Sequence, residues 1–249
     1  ELVLCYVATY ATSSQVLPAV QRVHAQVLVL NLQPSSALDY PRTTTGEWLA
    51  NCCACCVPEI ACAFARSRID FHVVTGVLGV ERGRFGEAPP SHPDSERAWT
   101  EILGWVRAAS TVSRVRRSRI GFLGHTYPGM LDMYSDFTQH TAQLGTHIEV
   151  LEMCDLAKRL PEARAREVAA KRRETEHIFE ISRDSSSDPL ARAPKPRDLL
   201  WACRVAVALD RLVTDHDLHG LAYYYRGMNG NEYERLGAGG ILGSSLLTA

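Results

Sequence analysis

Short runs of consecutive apolar residues recur along the chain, and segments with the apolar spacing of helices separate them. The clearest runs span residues 27–30 (Val-Leu-Val-Leu) and 120–123 (Ile-Gly-Phe-Leu). Similar runs occur at residues 1–7, 71–76, 147–152 and 221–225. Continuous rather than alternating apolar runs are typical of parallel strands covered on both faces. The alternation of strands and helices predicts an α/β fold with two doubly wound parallel-sheet, Rossmann-like lobes of three αβα layers.

The intervening segments predict helices and a domain boundary. We expect helices over residues 15–24, 47–66, 97–114, 132–144, 161–181 and 198–214. Pro58 lies inside the second of these, where its missing N–H and its ring predict a kink or a break. A basic stretch at residues 114–119 precedes a new apolar run, so we expect one domain over 1–113 and a second over 114–249.

Charge and hydropathy exclude several classes of protein. The 27 Lys and Arg residues against 28 Asp and Glu give a net charge of −1, so no nucleic-acid partner is expected. Mean hydropathy is −0.12, and no apolar run reaches the ~18 residues of a membrane span, so we expect no membrane partner. The sequence begins on a core-strand pattern rather than a secretory leader, which predicts a cytoplasmic protein with eight reduced cysteines.

Four cysteines cluster within five residues and form two overlapping C-x-x-C pairs, Cys52/Cys55 and Cys53/Cys56. A structural zinc site usually needs a second Cys or His pair at a suitable distance, and the spacing of the nearest candidates fits no zinc module. Small thiols on a helix are also good packing residues against a sheet. We therefore expect core packing, and a thiol or zinc protein remains the alternative.

Polar side chains follow three of the predicted strands. Ligands bind beyond the carboxyl ends of the strands in open α/β sheets, and these ends share one edge. We therefore expect a substrate-binding face made from Glu47, His125, Thr126, Tyr127, Tyr223 and Arg226. For the segment of His125, the alternative is a structural turn set by Pro128 and Gly129. For the segment of Glu47, the alternative is a helix capped by Thr44 or Thr45, with Glu47 in the first turn, where it suits the helix dipole.

Taken together, these stretches resemble the L-arabinose/L-fucose isomerase family, and specifically its arabinose-isomerase-like branch. The resemblance rests on residues 6–18 and 31–34, on TTTGEWLANCCACCVPE (43–59) and on GHTYPGMLDMYSDFT (124–138). The stretch GTHIEVLEMCDL (145–156) and residues 221–248 extend it in the same order along nearly the whole chain.

The resemblance implies a metal-dependent aldose–ketose isomerase that acts on a small-molecule sugar, uses Mn²⁺ and assembles as a homo-oligomer. In this family two carboxylates move a proton between adjacent carbons through an enediol. The family's metal ligands, two glutamates and two histidines, are expected after Ala249, so no metal or acid–base residue is assigned in this chain. We expect an inactive fragment that also lacks the start of the first domain. A non-catalytic sugar-binding or assembly module is the alternative.

Overall fold

The computed structural model describes residues 1–81, 87–184, 186–188, 192–225 and 230–249, and it shows an α/β protein with two parallel sheets of three strands each. The chain divides into two compact units, Glu1–Ser113 (unit 1) and Arg114–Ala249 (unit 2). The predicted α/β class with parallel sheets is therefore confirmed.

The sheet of unit 1 has the order β1-β2-β3, and each strand pairs in parallel with its neighbour in sequence. The elements of this part of the chain are β1 (Leu2–Tyr6), α1 (Ser13–Val20), β2 (Gln26–Gln33), α2 (Thr45–Ala50), α3 (Cys53–Arg66), β3 (Phe71–Val77) and α4 (Pro93–Arg116).

Strand β2 supplies apolar side chains to both faces of its sheet, as its continuous apolar run predicts. Val27 and Val29 pack in one buried cluster with Phe64 and its neighbours on α3. Leu28 and Leu30 pack in another cluster with residues of α4. The core of unit 1 therefore lies on both sides of β2.

The helix predicted over residues 47–66 is divided in two, but the predicted position of the break at Pro58 is wrong. Pro58 lies inside α3, and the break falls at Asn51 and Cys52. The side-chain Nδ2 of Asn51 donates to the carbonyl of Glu47 at 2.9 Å and helps to end α2. Helix α3 instead tolerates the loss of one i→i−4 hydrogen bond, because its apolar face is held in the core.

The stretch Thr45–Arg66 also has the length and apolar composition of a membrane-crossing helix. Five residues of α3 are buried against the sheet, among them Ile60 and Phe64. A helix at the core of a globular unit meets the same criteria of length and composition, so they are weak evidence for a membrane span.

The sheet of unit 2 has the order β5-β4-β6, again with parallel pairing throughout. The elements of this part are β4 (Arg119–Gly124), α5 (Phe137–Leu144), β5 (His147–Leu151), α6 (Met153–Ala157), α7 (Ala165–Ile178), α8 (Pro196–Asp215), β6 (Gly220–Tyr224) and α9 (Glu234–Leu246), with single 3₁₀ turns at Leu131–Met133 and Leu160–Glu162.

The helix predicted over residues 132–144 is shorter in the structure, where α5 begins at Phe137. The carboxylate of Asp136 accepts hydrogen bonds from the backbone N–H groups of Thr138 and Gln139 at 2.8 and 3.2 Å. An aspartate in this position satisfies N–H groups that lack a partner within the helix, and so fixes where the helix begins.

The two faces of the second sheet are covered unequally. Leu123 and Leu151 point to one side and pack in a buried cluster with Leu209 and Leu212 of α8. Phe122 points to the other side, where its ring meets the ring of Phe137 on α5 at a centroid distance of 4.9 Å. All eight residues of α5 are at least partly exposed, so this face is covered only lightly.

Candidate functional site

In the second sheet, the order in which strands are added reverses at the central strand β4. The strand that follows it, β5, lies on one side of β4, and the last strand, β6, lies on the other side. The crevice outside the carboxyl ends of the strands at such a switch point is the usual ligand site in open parallel sheets. The loop that begins at His125, directly after β4, opens into this position.

A glycine at the end of β4 allows this loop to lie close to β6. Gly124 has a φ of +84°, and a Cβ atom there would overlap the backbone carbonyl oxygen of Tyr224. The backbone N–H of the next residue, His125, donates to that same carbonyl at 3.1 Å. Only glycine combines this left-handed conformation with so close an approach.

Three aromatic side chains converge at the carboxyl ends of β4 and β6, and we refer to them as the ring cluster: His125, Tyr127 and Tyr224. The ring of Tyr224 lies 5.2 Å from that of His125 and 4.8 Å from that of Tyr127, measured between centroids. The ring of Tyr225 follows at 6.2 Å from His125. Tyr224 is therefore the centre of the cluster.

The orientation of the His125 ring follows from its hydrogen bond. Nδ1 lies 2.7 Å from the carbonyl oxygen of Thr126. Because a carbonyl only accepts, Nδ1 carries the hydrogen and donates it. In the neutral ring, Nε2 is then left as an acceptor for a ligand hydroxyl.

Tyr223 and Tyr224, the last two residues of β6, have different surroundings. The hydroxyl of Tyr223 donates to the carbonyl of Gly237 at 2.7 Å, and its ring packs in the buried cluster beside α8 and α9. Burial raises the pKa of the Tyr223 hydroxyl. Successive side chains of a strand point to opposite faces, so the ring of Tyr224 joins the ring cluster, whereas Tyr223 borders the cavity and packs its ring beside α8 and α9.

The remaining predicted residues fall in three different settings. Tyr127 is exposed within the ring cluster, and Thr126 supplies its backbone carbonyl and borders the adjoining cavity. Glu47 lies in unit 1, where its carboxylate accepts from the backbone N–H and the hydroxyl of Thr44 at 2.7 and 2.9 Å. This is a capping box at the start of α2. Arg226 lies outside the described residues.

A cavity of about 510 Å³ extends from the ring cluster along the lightly covered face of the second sheet. Pockets for small molecules commonly measure about 300–1,000 Å³ and combine apolar walls with a few polar groups. The walls here are apolar, hydroxyl-bearing or imidazole side chains, namely Val115, Ser118, Ile120, Phe122, His125, Thr126, Met133, Ser135, Phe137, His140, Leu144, Thr146, Ile148, Ala222, Tyr223 and Tyr224.

The resemblance places the ligands of its Mn²⁺ ion after Ala249, and the described residues offer no alternative set. Among residues 1–81, 87–184, 186–188, 192–225 and 230–249, no group of three or more His, Cys, Asp or Glu side chains is arranged so that it could hold a metal ion. Catalytic zinc sites, for comparison, use three protein ligands of these types. No chemical step is therefore assigned to a metal in this chain.

The cysteine cluster is divided between the core and the surface. Cys52, Cys53 and Cys56 are buried in the core of unit 1, whereas Cys55 is exposed. Burial raises the pKa values of the Cys53 and Cys56 thiols, which keeps them neutral and poorly reactive. The sulfur atoms of Cys55 and Cys56 lie 3.9 Å apart, and this pair of neighbours does not amount to a zinc site.

Fold and site together define an α/β protein with an aromatic, mostly apolar cavity beside the switch point of a parallel sheet. No family model matches the chain, and no curated protein matches it either. The resemblance to the isomerase family therefore stays a prediction that rests on the sequence motifs.

A charged cluster lies on the other face of the same sheet, around Glu149 of β5. Its carboxylate lies 3.1 Å from Nε2 of His147 and 3.4 Å from Nδ1 of His216, and it accepts a 2.6 Å hydrogen bond from Arg119. The hydrogen bond from His147, followed by that from His216 and the charge of Arg119, lowers the pKa of Glu149.

We expect the stability of unit 2 to fall in acid partly through Glu149. A carboxyl group with a lowered folded-state pKa stabilises the fold above its unfolded-state pKa, and this contribution is lost as the pH falls through the folded-state pKa. Glu149→Gln is therefore less stable than the wild type at pH 7, and the difference shrinks and is lost as the pH falls through the lowered folded-state pKa of Glu149. Urea unfolding at several pH values measures this, with the exposed Glu180→Gln as control. A difference that is constant with pH would contradict the assignment.

Proposed function

We propose that unit 2 carries the sugar-binding site of an aldose–ketose isomerase of the L-arabinose/L-fucose type. The observation that carries this proposal is the ring cluster of His125, Tyr127 and Tyr224 at the carboxyl ends of β4 and β6. Aromatic faces pack against the C–H groups of a sugar ring, while hydroxyl and imidazole groups bind its hydroxyls. The motif that contains His125 and Tyr127 is also one of the stretches on which the sequence resemblance rests.

The role proposed for these side chains is to hold and orient the sugar. Nε2 of His125 accepts a hydrogen bond from a sugar hydroxyl, and the Tyr127 ring, which is 39% exposed, presents a face to the ligand. Isomerisation through an enediol also requires an acid, a base and a group that stabilises negative charge. The described residues at the site supply binding groups, so the proposal assigns binding to this chain and leaves proton transfer unassigned.

We also propose that each unit is a doubly wound, Rossmann-like lobe. The apolar side chains on both faces of β2 support this for unit 1, and the order β5-β4-β6 supports it for unit 2. In such a lobe the ring cluster occupies the expected ligand position.

Replacement of the central ring tests the proposal. Tyr224→Ala should weaken the binding of L-arabinose or L-fucose about threefold to tenfold, because it removes the ring that the other two contact and the ring contacts are each worth about 0.5–1.5 kcal/mol. Ligand-observed NMR titration measures the dissociation constants, and EDTA in the buffer should leave them unchanged.

The matched control is Tyr40→Ala, a tyrosine of unit 1 that is 73% exposed. This variant should bind both sugars as the wild type does. Equal affinities for Tyr224→Ala and Tyr40→Ala, with both proteins folded, would overturn the proposed function.

A further inference from the structure

Part of the first sheet is uncovered on the face that carries α4. Leu4 and Tyr6 of the edge strand β1 are 48% and 41% exposed. Their partners on β2, Leu28 and Leu30, point to the same face and are buried in the cluster that includes residues of α4. Helix α4 therefore covers β2 and β3 and leaves β1 open.

Helix α4 carries exposed apolar side chains on the flank that faces this open strand, and we refer to Trp99, Leu103 and Val106 as the stripe. Each is at least 40% exposed. Each also follows by one position a residue packed in the core under α4, so it points about 100° further round the helix. Glu101, one position before such a core residue, instead meets His72 of β3 at 2.7 Å. The stripe therefore points away from β3, which in the strand order is toward β1.

Side chains of opposite charge border the two ends of the stripe. Glu96 precedes Trp99 by three positions and Arg107 follows Leu103 by four, so both lie on the same side of α4 as the stripe. Both are exposed, and neither forms an ion pair within the part of the chain that the structure describes. The surface is therefore negative near the amino end of the stripe and positive near its carboxyl end.

This distribution of charge selects one partner, an antiparallel second copy of the same helix. A two-fold axis between residues 101 and 102, perpendicular to α4, places Glu96 of each copy level with the partner's Arg107 and brings the two stripes together. Parallel pairing would instead place like charges opposite each other. Packed helices lie about 8–10 Å apart and neighbouring strands about 4.8 Å apart, so a second helix beside α4 on this flank lies over β1.

We propose that the protein forms a reversible dimer in which the stripes of two copies pack antiparallel over the open edge of the first sheet. Leu4, Tyr6 and the stripe together expose roughly 200–400 Å² of apolar side chain. Interfaces are about 57–65% apolar, so two such surfaces correspond to about 1,000 Å² of buried area, at the low end for specific complexes. The surface lies in unit 1 and uses none of the residues assigned to sugar binding, so it goes beyond the proposed function and is independent of it.

The concentration dependence of the dimer is the first test. Sedimentation velocity of the 249-residue chain should show a reversible monomer–dimer equilibrium with a dissociation constant of about 1–100 μM. Leu103→Glu should raise this constant at least tenfold, because it places a carboxylate at the apolar contact of both copies. The matched control is Val112→Glu, which changes a residue of the same helix that is 48% exposed but lies outside the stripe. A chain that is monomeric up to about 300 μM, or equal constants for these two variants, would overturn the proposal.

Exchange of the two charges is the second test. Glu96→Arg and Arg107→Glu should each raise the dissociation constant at least fivefold, because each places like charges opposite each other twice in the dimer. The variant that combines both substitutions should return to within about threefold of the wild type, since every pair is again of opposite sign. Circular dichroism verifies that all variants are folded. A combined variant that dimerises no better than the single ones would overturn the antiparallel dimer.

Discussion

Phe64→Ala should destabilise unit 1 by about 3–5 kcal/mol, as expected when a large buried aromatic side chain is truncated. Phe64 is fully buried on α3, and its ring meets that of Phe71 on β3 edge to face, with a centroid distance of 5.6 Å. Native domains have only about 5–15 kcal/mol of stability in total, so the loss is a large fraction of it.

Urea unfolding followed by tryptophan fluorescence measures this effect, because three of the four tryptophans (Trp48, Trp99 and Trp105) lie in unit 1. The control is Leu103→Ala on α4, where the side chain is 49% exposed and the expected loss is below about 1 kcal/mol. Similar losses for the two variants would contradict the placement of Phe64 at the centre of the core.

Gly124→Ala should destabilise unit 2 by about 2–5 kcal/mol and weaken sugar binding as well. The left-handed conformation costs a non-glycine residue about 1–2 kcal/mol, and the added methyl group overlaps the carbonyl of Tyr224, which adds about 1–3 kcal/mol. Relief of that overlap moves His125 away from Tyr224, so the ring cluster opens.

The substitution Gly129→Ala distinguishes the cost of the left-handed conformation from the cost of the overlap with Tyr224. Gly129 has a φ of +89°, but a Cβ atom there would have no described atom within 4 Å. It should therefore show only the conformational cost, about 1–2 kcal/mol, and retain sugar binding. Thermal or urea unfolding, combined with the NMR titration, gives both quantities. Equal effects of the two substitutions would show that the contact between Gly124 and Tyr224 does not control the site.

Local sequence patterns predict the strands well because each strand is specified by its own residues. The continuous apolar runs at residues 27–30 and 120–123 lie within β2 and β4, and the predicted parallel α/β class is confirmed. The break assigned to Pro58 is wrong because tertiary packing of α3 outweighs the local cost of proline. The start of α5 was predicted too early, although Asp136 before Phe137 is a recognisable cap.

The candidate site depends on which face of a strand each side chain occupies and on how a helix covers the sheet. The identity of a single residue reveals neither. The sequence analysis chose Tyr223, which borders the cavity, and missed Tyr224, which the alternation of side chains along β6 directs toward His125. The pairing of Phe122 with Ala222, which places Tyr224 on the cavity face, is known only from the structure. The stated alternative for this segment was a helix capped by Thr44 or Thr45 with Glu47 in its first turn, and Thr44 is the N-cap of α2, with Glu47 in the first turn and hydrogen-bonded to it. The cavity depends on how lightly α5 covers the sheet, which no local pattern specifies.

The difference in strand order between the two sheets has a consequence for folding kinetics. In unit 1, β1 pairs with the next strand, so Leu2 meets Gln26, 24 positions away. In unit 2, the central strand must also meet β6, so Ile120 pairs with Gly220, 100 positions away. A closed loop about four times longer costs about 1.2 kcal/mol more in chain entropy. Non-local pairing of this kind slows folding. We therefore expect the first sheet, whose strand pairs lie 24 and 44 positions apart, to form faster than the second, which is completed only when β6 pairs with β4. Until then the edge of β4 that pairs with β6 is open to incorrect partners.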